Sequence, residues 1–150
     1  MNRYELVIDQ KACWGCKACE VACKQENQAP EGVQYISVRE NGPKWVEGKL
    51  DMVYQVTVCR HCDHPDCAEV CPVEAIAKRE DGIVILDQER CNGCGACLEA
   101  CPYQAVTLDP YTNKAGKCHL CFHRVEKGLL PACADNICLA HGITFREIAV

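Results

Sequence analysis

The sequence predicts an α+β chain with little regular structure, its small apolar core divided between two lobes. Three observations predict it. There are sixteen cysteines in 150 residues, they fall in four groups of four, and short alternating apolar runs separate the groups. Cysteine makes up about 11% of the chain, above the roughly 8–10% at which a short sequence is usually a disulfide scaffold or a metal protein.

The elements follow in chain order. Tyr4 to Asp9 reads as a strand leading into the first cysteine group, and Ala18 to Gln25 as a short helix that stops before Pro30. An inserted hairpin comes next, with Val33 to Arg39 as one arm and Leu50 to Val58 as the other. In the second arm Leu50, Met52, Tyr54, Val56 and Val58 alternate with Asp51, Val53, Gln55 and Thr57, the period of two of a half-buried strand. Asn41-Gly42-Pro43 supplies the turn. Glu80-Asp81-Gly82 turns into a strand over Gly82 to Asp87, Ala105 to Leu108 is a short strand, and Ile143 to Arg146 closes the chain. No linker, low-complexity segment or long amphipathic helix interrupts this order.

A disulfide protein and a metal protein keep different company. The first is secreted behind a basic, then apolar, leader. Met1-Asn2-Arg3-Tyr4-Glu5-Leu6-Val7-Ile8-Asp9 is too short an apolar run for one, and the sequence contains neither a twin-arginine pair nor a membrane-spanning stretch. The expectation is a cytoplasmic protein with no direct membrane span, whose thiols stay reduced and available to metal. The formal charge of −5 points away from nucleic acid, which needs a basic face.

The groups are Cys13, Cys16, Cys19 and Cys23; Cys59, Cys62, Cys67 and Cys71; Cys91, Cys94, Cys97 and Cys101; and Cys118, Cys121, Cys133 and Cys138. The first and third read Cys-x2-Cys-x2-Cys-x3-Cys, the run that builds cubane clusters in two-cluster bacterial ferredoxins. Three thiolates of such a loop converge on one cluster. The fourth starts a helix that points away, and so serves another cluster. Pro102 after Cys101 and Pro72 after Cys71 suit a first helical turn, where no amide donor is needed. Gly15, Gly93 and Gly95 lie between ligands, where a tight loop and close approach of amides to sulfur favour glycine.

The second group keeps the pattern with a longer middle loop carrying His61, Asp63, His64 and Pro65. Histidine can replace cysteine on iron, but four cysteines are already present. The fourth group is the most irregular and, read alone, also fits a zinc site. His119, His123 and His141 are expected at the surface or behind the ligands, and Trp14 and Tyr103 as covers over clusters. No phosphate-cradling loop, dinucleotide fingerprint or nucleophile constellation stands out. The chain is therefore expected to carry electrons and not to perform substrate chemistry. Four clusters, each with a net charge of two minus, would bring the assembled protein to roughly −13, which suits docking to a basic patch on another protein.

These four groups in this order resemble the four-cluster iron–sulfur (polyferredoxin) subunits of molybdenum and tungsten pterin oxidoreductases. That family includes the small subunits of dimethyl sulfoxide reductase, formate dehydrogenases and polysulfide reductase, and those of tungsten aldehyde oxidoreductases and benzoyl-CoA reductases. The resemblance runs from Val7 to Phe145 and implies a tandem of two ferredoxin-like lobes with a β-hairpin insert. Residues 1–150 would form one unit, with lobe A at 1–30 plus 110–150, lobe B at 50–109 and the hairpin at 31–58. It implies four [4Fe–4S] clusters with exchanged ligands. Cys13, Cys16, Cys19 and Cys138 hold cluster 1, and Cys23, Cys118, Cys121 and Cys133 hold cluster 2. Cys59, Cys62, Cys67 and Cys101 hold cluster 3, and Cys71, Cys91, Cys94 and Cys97 hold cluster 4. The implied partners are a large Mo/W-pterin subunit and a flavin subunit, a ferredoxin or further copies of the complex; a free soluble polyferredoxin is the alternative. The chain departs from the pattern in having four residues between Cys133 and Cys138 and Leu139 after Cys138, where many members have three residues and a proline.

Packing alone holds lobes this small only marginally, so the clusters are expected to hold the fold. The metal-free chain should be largely unfolded. Far-UV circular dichroism checks this, and an apo spectrum matching the holo spectrum would refute it.

Overall fold

The computed structural model describes residues 2–149. In chain order it comprises β1 (Asn2–Ile8), α1 (Ala18–Asn27), β2 (Ile36–Val46), β3 (Lys49–Val58), α2 (Asp66–Glu69), β4 (Ile76–Lys78), β5 (Val84–Leu86), α3 (Ala96–Ala100), β6 (Thr107–Asp109), β7 (Lys114–Gly116), α4 (Phe122–Val125) and β8 (Ile143–Ala149), with 3-10 turns at Gln10–Ala12 and Ala132–Ala134. This is a mixed α+β chain of short helices and small sheets. All four sheets are antiparallel pairs, β1 with β8, β2 with β3, β4 with β5 and β6 with β7.

A two-stranded sheet is marginal by itself, so each pair must lean on something. The buried residues form two clusters. In the first, Ile36, Val38, Val56 and Val58 from the base of the hairpin pack with Cys19, Cys23 and Cys133, flanked by Leu6, Ile8 and Ile143. In the second, Ala75, Ile76, Val84, Val106 and Ala115 pack with Cys91 and Cys97. Cysteine is a core residue in both, so the apolar interior and the candidate ligands are one and the same layer.

Most sequence-predicted elements are present, but no helix starts at the fourth cysteine of the second or third group: α2 stops before Cys71 and Cys101 caps the end of α3, so Pro72 and Pro102 lie in turns. The hairpin also differs. Its first arm starts at Ile36, not Val33, and runs on through Asn41-Gly42-Pro43 to Val46. Those three residues sit where the register shifts between Asn41 and Lys44. The irregularity absorbs extra residues as a bulge does and bends the strand without reversing it. The reversal comes at Glu47 and Gly48, both with positive φ, as a two-residue hairpin turn requires. Only the base of the hairpin is buried. Its far end carries Trp45, 76% exposed, with Leu50 and Val46 also exposed, so the period of two in the second arm marks a buried face only near Val56 and Val58. The sequence reading also lacks β4 and β7. At three residues each they are too short to show a period, and their partners β5 and β6 define them.

Two polar side chains fasten the hairpin to the rest. The Gln10 amide donates to the Val56 carbonyl at 2.8 Å and accepts the Val56 N–H at 2.7 Å, imitating one rung of a third strand. Glu20 on α1 accepts the Val38 N–H at 2.7 Å. Replacing Gln10 by Ala removes two hydrogen bonds and leaves a buried amide unpaired. Gln10→Ala should lower stability by about 1–2 kcal/mol, read as a lower thermal midpoint of the cluster-loaded protein.

Candidate metal centres

The four cysteine groups share one local backbone geometry. The first cysteine of each accepts the N–H of the residue two positions later: Gly15 to Cys13 (3.4 Å), His61 to Cys59 (3.4 Å), Gly93 to Cys91 (3.4 Å) and Leu120 to Cys118 (3.3 Å). Each donor residue has positive φ, from 46° at His61 to 74° at Gly93. The left-handed conformation turns the amide back onto the sulfur and lets the loop wrap a small object. At the other end of the group, Ala75 donates to Cys71 (3.2 Å), Ala105 to Cys101 (3.4 Å) and Gly142 to Cys138 (3.3 Å), each four residues on. In the first group α1 continues past Cys23, and the Asn27 side chain, also four residues on, donates to the Cys23 sulfur at 3.5 Å. Cys138 thus occupies the same frame as Cys71 and Cys101, despite its longer spacing and the absence of a following proline.

The structure brings cysteines together across groups. Cys13, Cys16, Cys19 and Cys138 line one cavity, with Trp14 at its side. Cys23, Cys118, Cys121 and Cys133 line a second. Cys71, Cys91, Cys94 and Cys97 line a third. Cys59, Cys62, Cys67 and Cys101 are electrostatic neighbours: burial first, then Cys59 and Cys101, push the Cys62 thiol up, and the Cys67 thiol is pushed up to about 11 by burial with the same two neighbours contributing. Burial also takes Cys19 and Cys118 up to about 12 and Cys23 to about 11. Without metal these thiols keep their protons at neutral pH, so ligation must release them.

All sixteen cysteines are free of disulfides. Among the described residues, no three His, Cys, Asp or Glu side chains converge tightly enough to hold a single metal ion. Thiolates on one zinc lie about 2.3 Å from it, and therefore within roughly 4 Å of one another. Quartets that share a cavity yet stay too open for one ion fit a polynuclear cluster, with each sulfur on its own iron. A zinc site built from the fourth group alone is not assembled, because Cys138 lines a different cavity from Cys118, Cys121 and Cys133.

The surrounding polar atoms fit the same group. His61 is 4% exposed, and its Nδ1 accepts the Val84 N–H at 2.9 Å. Burial, with Lys117 and His119 beside it, pushes His61 down to about 2, so the ring is neutral and its proton sits on Nε2. That buried Nε2 has no partner among the described residues, nor has Nδ1 of His119. A leftover donor beside the Cys59–Cys62 loop fits a site whose acceptors arrive with an inorganic cluster. The sequence set His61 aside as a ligand, four cysteines being present, and placed His119 at the surface or behind the ligands; nothing in the spacing marks the burial of His61. His123 pairs with Glu26 at 2.8 Å. Trp14 lines the first cavity but remains 64% exposed, so it covers only one side. Tyr103 stacks beneath Arg60, 4.2 Å from ring centre to guanidinium carbon, and borders the groove beside Cys59.

Comparison with known proteins adds the identity of that cluster. Two family profiles described as 4Fe-4S dicluster domains match, one over residues 50–148 and one over 12–75, and together they span all sixteen cysteines. Two dicluster domains correspond to four [4Fe–4S] clusters. The chain is 44% identical to the B component of tetrathionate reductase from Salmonella typhimurium over 140 residues, 90% of this chain and 54% of that protein. It is 38% identical to the B component of polysulfide reductase from Wolinella succinogenes, covering 99% of this chain and 78% of the other. It is 39% identical to the thiosulfate reductase electron transfer subunit PhsB of Salmonella typhi, covering 98% and 77%. The chain thus spans about half the length of the tetrathionate reductase component.

The loop geometry separates two neighbouring glycines. A Cβ on Gly93 would lie 2.1 Å from the Asn113 carbonyl oxygen, whereas one on Gly95 meets nothing within 4 Å. Both have positive φ. Gly95→Ala should cost about 1–2 kcal/mol for the left-handed backbone, and Gly93→Ala roughly 1–3 kcal/mol more for the clash. Iron content and thermal midpoint of the two variants, compared side by side, check the order.

Proposed function

The chain belongs to the 4Fe-4S dicluster family of reductase iron–sulfur subunits, and on that premise we propose that it relays single electrons between a Mo- or W-pterin catalytic subunit and a second redox partner. The observation that supports the proposal is that cysteines of different groups line common cavities: Cys138 with Cys13, Cys16 and Cys19, Cys23 with Cys118, Cys121 and Cys133, and Cys71 with Cys91, Cys94 and Cys97. The name of the Salmonella typhi relative, an electron transfer subunit, agrees with it. No side chain here is assigned substrate chemistry.

The residues holding each centre are those the cavities and thiol neighbours group: Cys13, Cys16, Cys19 and Cys138; Cys23, Cys118, Cys121 and Cys133; Cys59, Cys62, Cys67 and Cys101; and Cys71, Cys91, Cys94 and Cys97. Each cluster, when bound, accepts and returns one electron. The chain's own task is to hold the quartets in series and keep water from them. Cys19 and Cys23 lie one turn apart on α1, and Cys19 is an electrostatic neighbour of Cys133, which joins the first quartet to the second. Cys118 and Cys59 are neighbours, which joins the second to the third. Cys67 in α2 and Cys71 just after it join the third to the fourth.

That order leaves one end at Cys16 and the other at Cys94, the two cysteines exposed to solvent. The first end has an apolar collar, with Trp14 in its cavity and the exposed Leu139 next to Cys138. Such a collar suits a face that a partner subunit covers. The two core clusters support two ferredoxin-like lobes, 1–30 with 110–150 and 50–109, although Val56 and Val58 of the hairpin pack with the first and Ala115 with the second. Among the described residues no helix is long and apolar enough to cross a membrane. We place the chain in the cytoplasm, where thiols stay reduced. A free carrier that diffuses between enzymes is the competing reading, and the exposed collar favours the subunit.

Anaerobically purified protein should hold about sixteen irons per chain, four for each quartet of cysteines, and native pull-down should bring a pterin enzyme with it. Cys101→Ser should alter the electron paramagnetic resonance signal that Cys62→Ser alters, and Cys138→Ser the one that Cys16→Ser alters. A Cys101→Ser spectrum matching Cys97→Ser instead would sink the exchange of ligands, and recovery as a monomer without a pterin enzyme would favour the free carrier.

A further inference from the structure

Lys117 follows β7, precedes Cys118 and is 4% exposed, a depth at which lysine is almost never found unpaired. Its ammonium donates to the Val84 carbonyl, to the Cys118 carbonyl at 2.7 Å and to the Cys59 sulfur at 3.4 Å. Three acceptors use all three donors of an ammonium, where a neutral amine has two N–H bonds. Among the described residues no carboxylate pairs with it. A buried charge needs a counter-charge, and among the described residues the Cys59 sulfur, a thiolate once a cluster is bound, lies within hydrogen-bond reach. Cys67 and Cys118 lie within its field as well.

The position matters because Cys59 and Cys118 belong to different quartets and Lys117 bonds to both, to the sulfur of one and the carbonyl of the other. Lys117 therefore sits where an electron passes from one half of the chain to the other. The other first cysteines, Cys13, Cys91 and Cys118, receive neutral main-chain donors. Among the described residues only the Cys59 sulfur receives a charged one. Lys78 approaches the same quartet through the Cys62 carbonyl at 3.0 Å, but its charge is already paired with Asp63.

We propose that Lys117 is the positioning residue that sets the reduction potential of the centre held by Cys59, Cys62, Cys67 and Cys101, favouring the electron at the junction between the two halves. The inference rests on the ligand assignment proposed above. Reduction adds one negative charge to that quartet, supplied by the neighbouring centre or a redox partner. A fixed positive charge at hydrogen-bond distance in a site of low dielectric stabilises the reduced state more than the oxidised one, and so raises the potential.

The test is a redox titration of the full chain with its native partners, followed by electron paramagnetic resonance, on the unaltered protein and on Lys117→Met, Lys117→Gln, Lys117→Arg and Lys78→Met. The signal of the relevant quartet is identified with Cys62→Ser. Both neutral replacements at Lys117 should make reduction of that one centre at least tenfold less favourable, a shift of about 59 mV toward negative potential for one electron, with a smaller shift at the centre held by Cys23, Cys118, Cys121 and Cys133, which Lys117 also neighbours, and the other two unmoved. Lys117→Arg should stay near the unaltered value, and Lys78→Met should shift it less than Lys117→Met. Full iron content with an unmoved potential overturns the proposal, as does a common drift of all four centres. A Lys117→Gln variant that keeps the original potential also overturns it, because the hydrogen bond and not the charge would then be responsible. Loss of iron in both neutral variants assigns Lys117 to holding the fold instead. If the unaltered protein itself held about twelve irons, the ligand assignment would fail first, and the proposal with it.

Discussion

Each first cysteine accepts the amide of the residue two places on, and that bond holds if the donor residue takes a left-handed backbone. The constraint recurs at Gly15, His61, Gly93 and Leu120. Glycine meets it without strain at two of the four sites. At the other two a histidine and a leucine are held in a conformation costing about 1–2 kcal/mol. Both are among the most buried side chains of the chain, so packing on the side chain offsets strain in the backbone. Everything larger follows from these loops: where the helices start, which thiols point into which cavity, and why neither core cluster is complete without sulfur.

The sequence displays this arrangement unevenly, for physical reasons. Cysteine spacing reports loop closure directly, so the four groups are legible at once, and the alternation in Lys49–Val58 marks the hairpin. Glycine reports the left-handed turn only in the first and third groups. In the second and fourth the same turn is built from residues that carry no such signal. The bulge at Asn41/Lys44 is equally hidden, because Gly-Pro reads as a reversal and here bends a strand that continues. Lys117 is the largest omission. A lysine before a cysteine looks like any solvated charge, and its burial depends on the Val84 carbonyl, 33 residues away in sequence.

The distribution of polarity also separates two kinds of surface. In the proposed series, the ligand loops at the two ends come to solvent at Cys16 and Cys94, while Lys117, His61 and His119 stand around the middle. Enclosure strengthens each charge–charge interaction there, whereas the ends are tempered by water or by whatever covers them. A series of centres built this way has its interior fixed by the chain and its ends adjustable by contact. The far end of the hairpin, with Trp45 standing clear of both core clusters, adds a third exposed region that none of the ligand loops requires.

The ribbon formed by β1 and β8 sets Asn2 opposite Ala149. The beginning and end of the described chain therefore lie side by side, on the strand pair flanking the first core cluster. Joining them by a short peptide and reopening the chain at Glu47-Gly48, an exposed turn, would give a circular permutant with every cysteine loop uncut. Sequence added at either terminus would depart from a single point, so accessory segments can accumulate there without redrawing the route between centres.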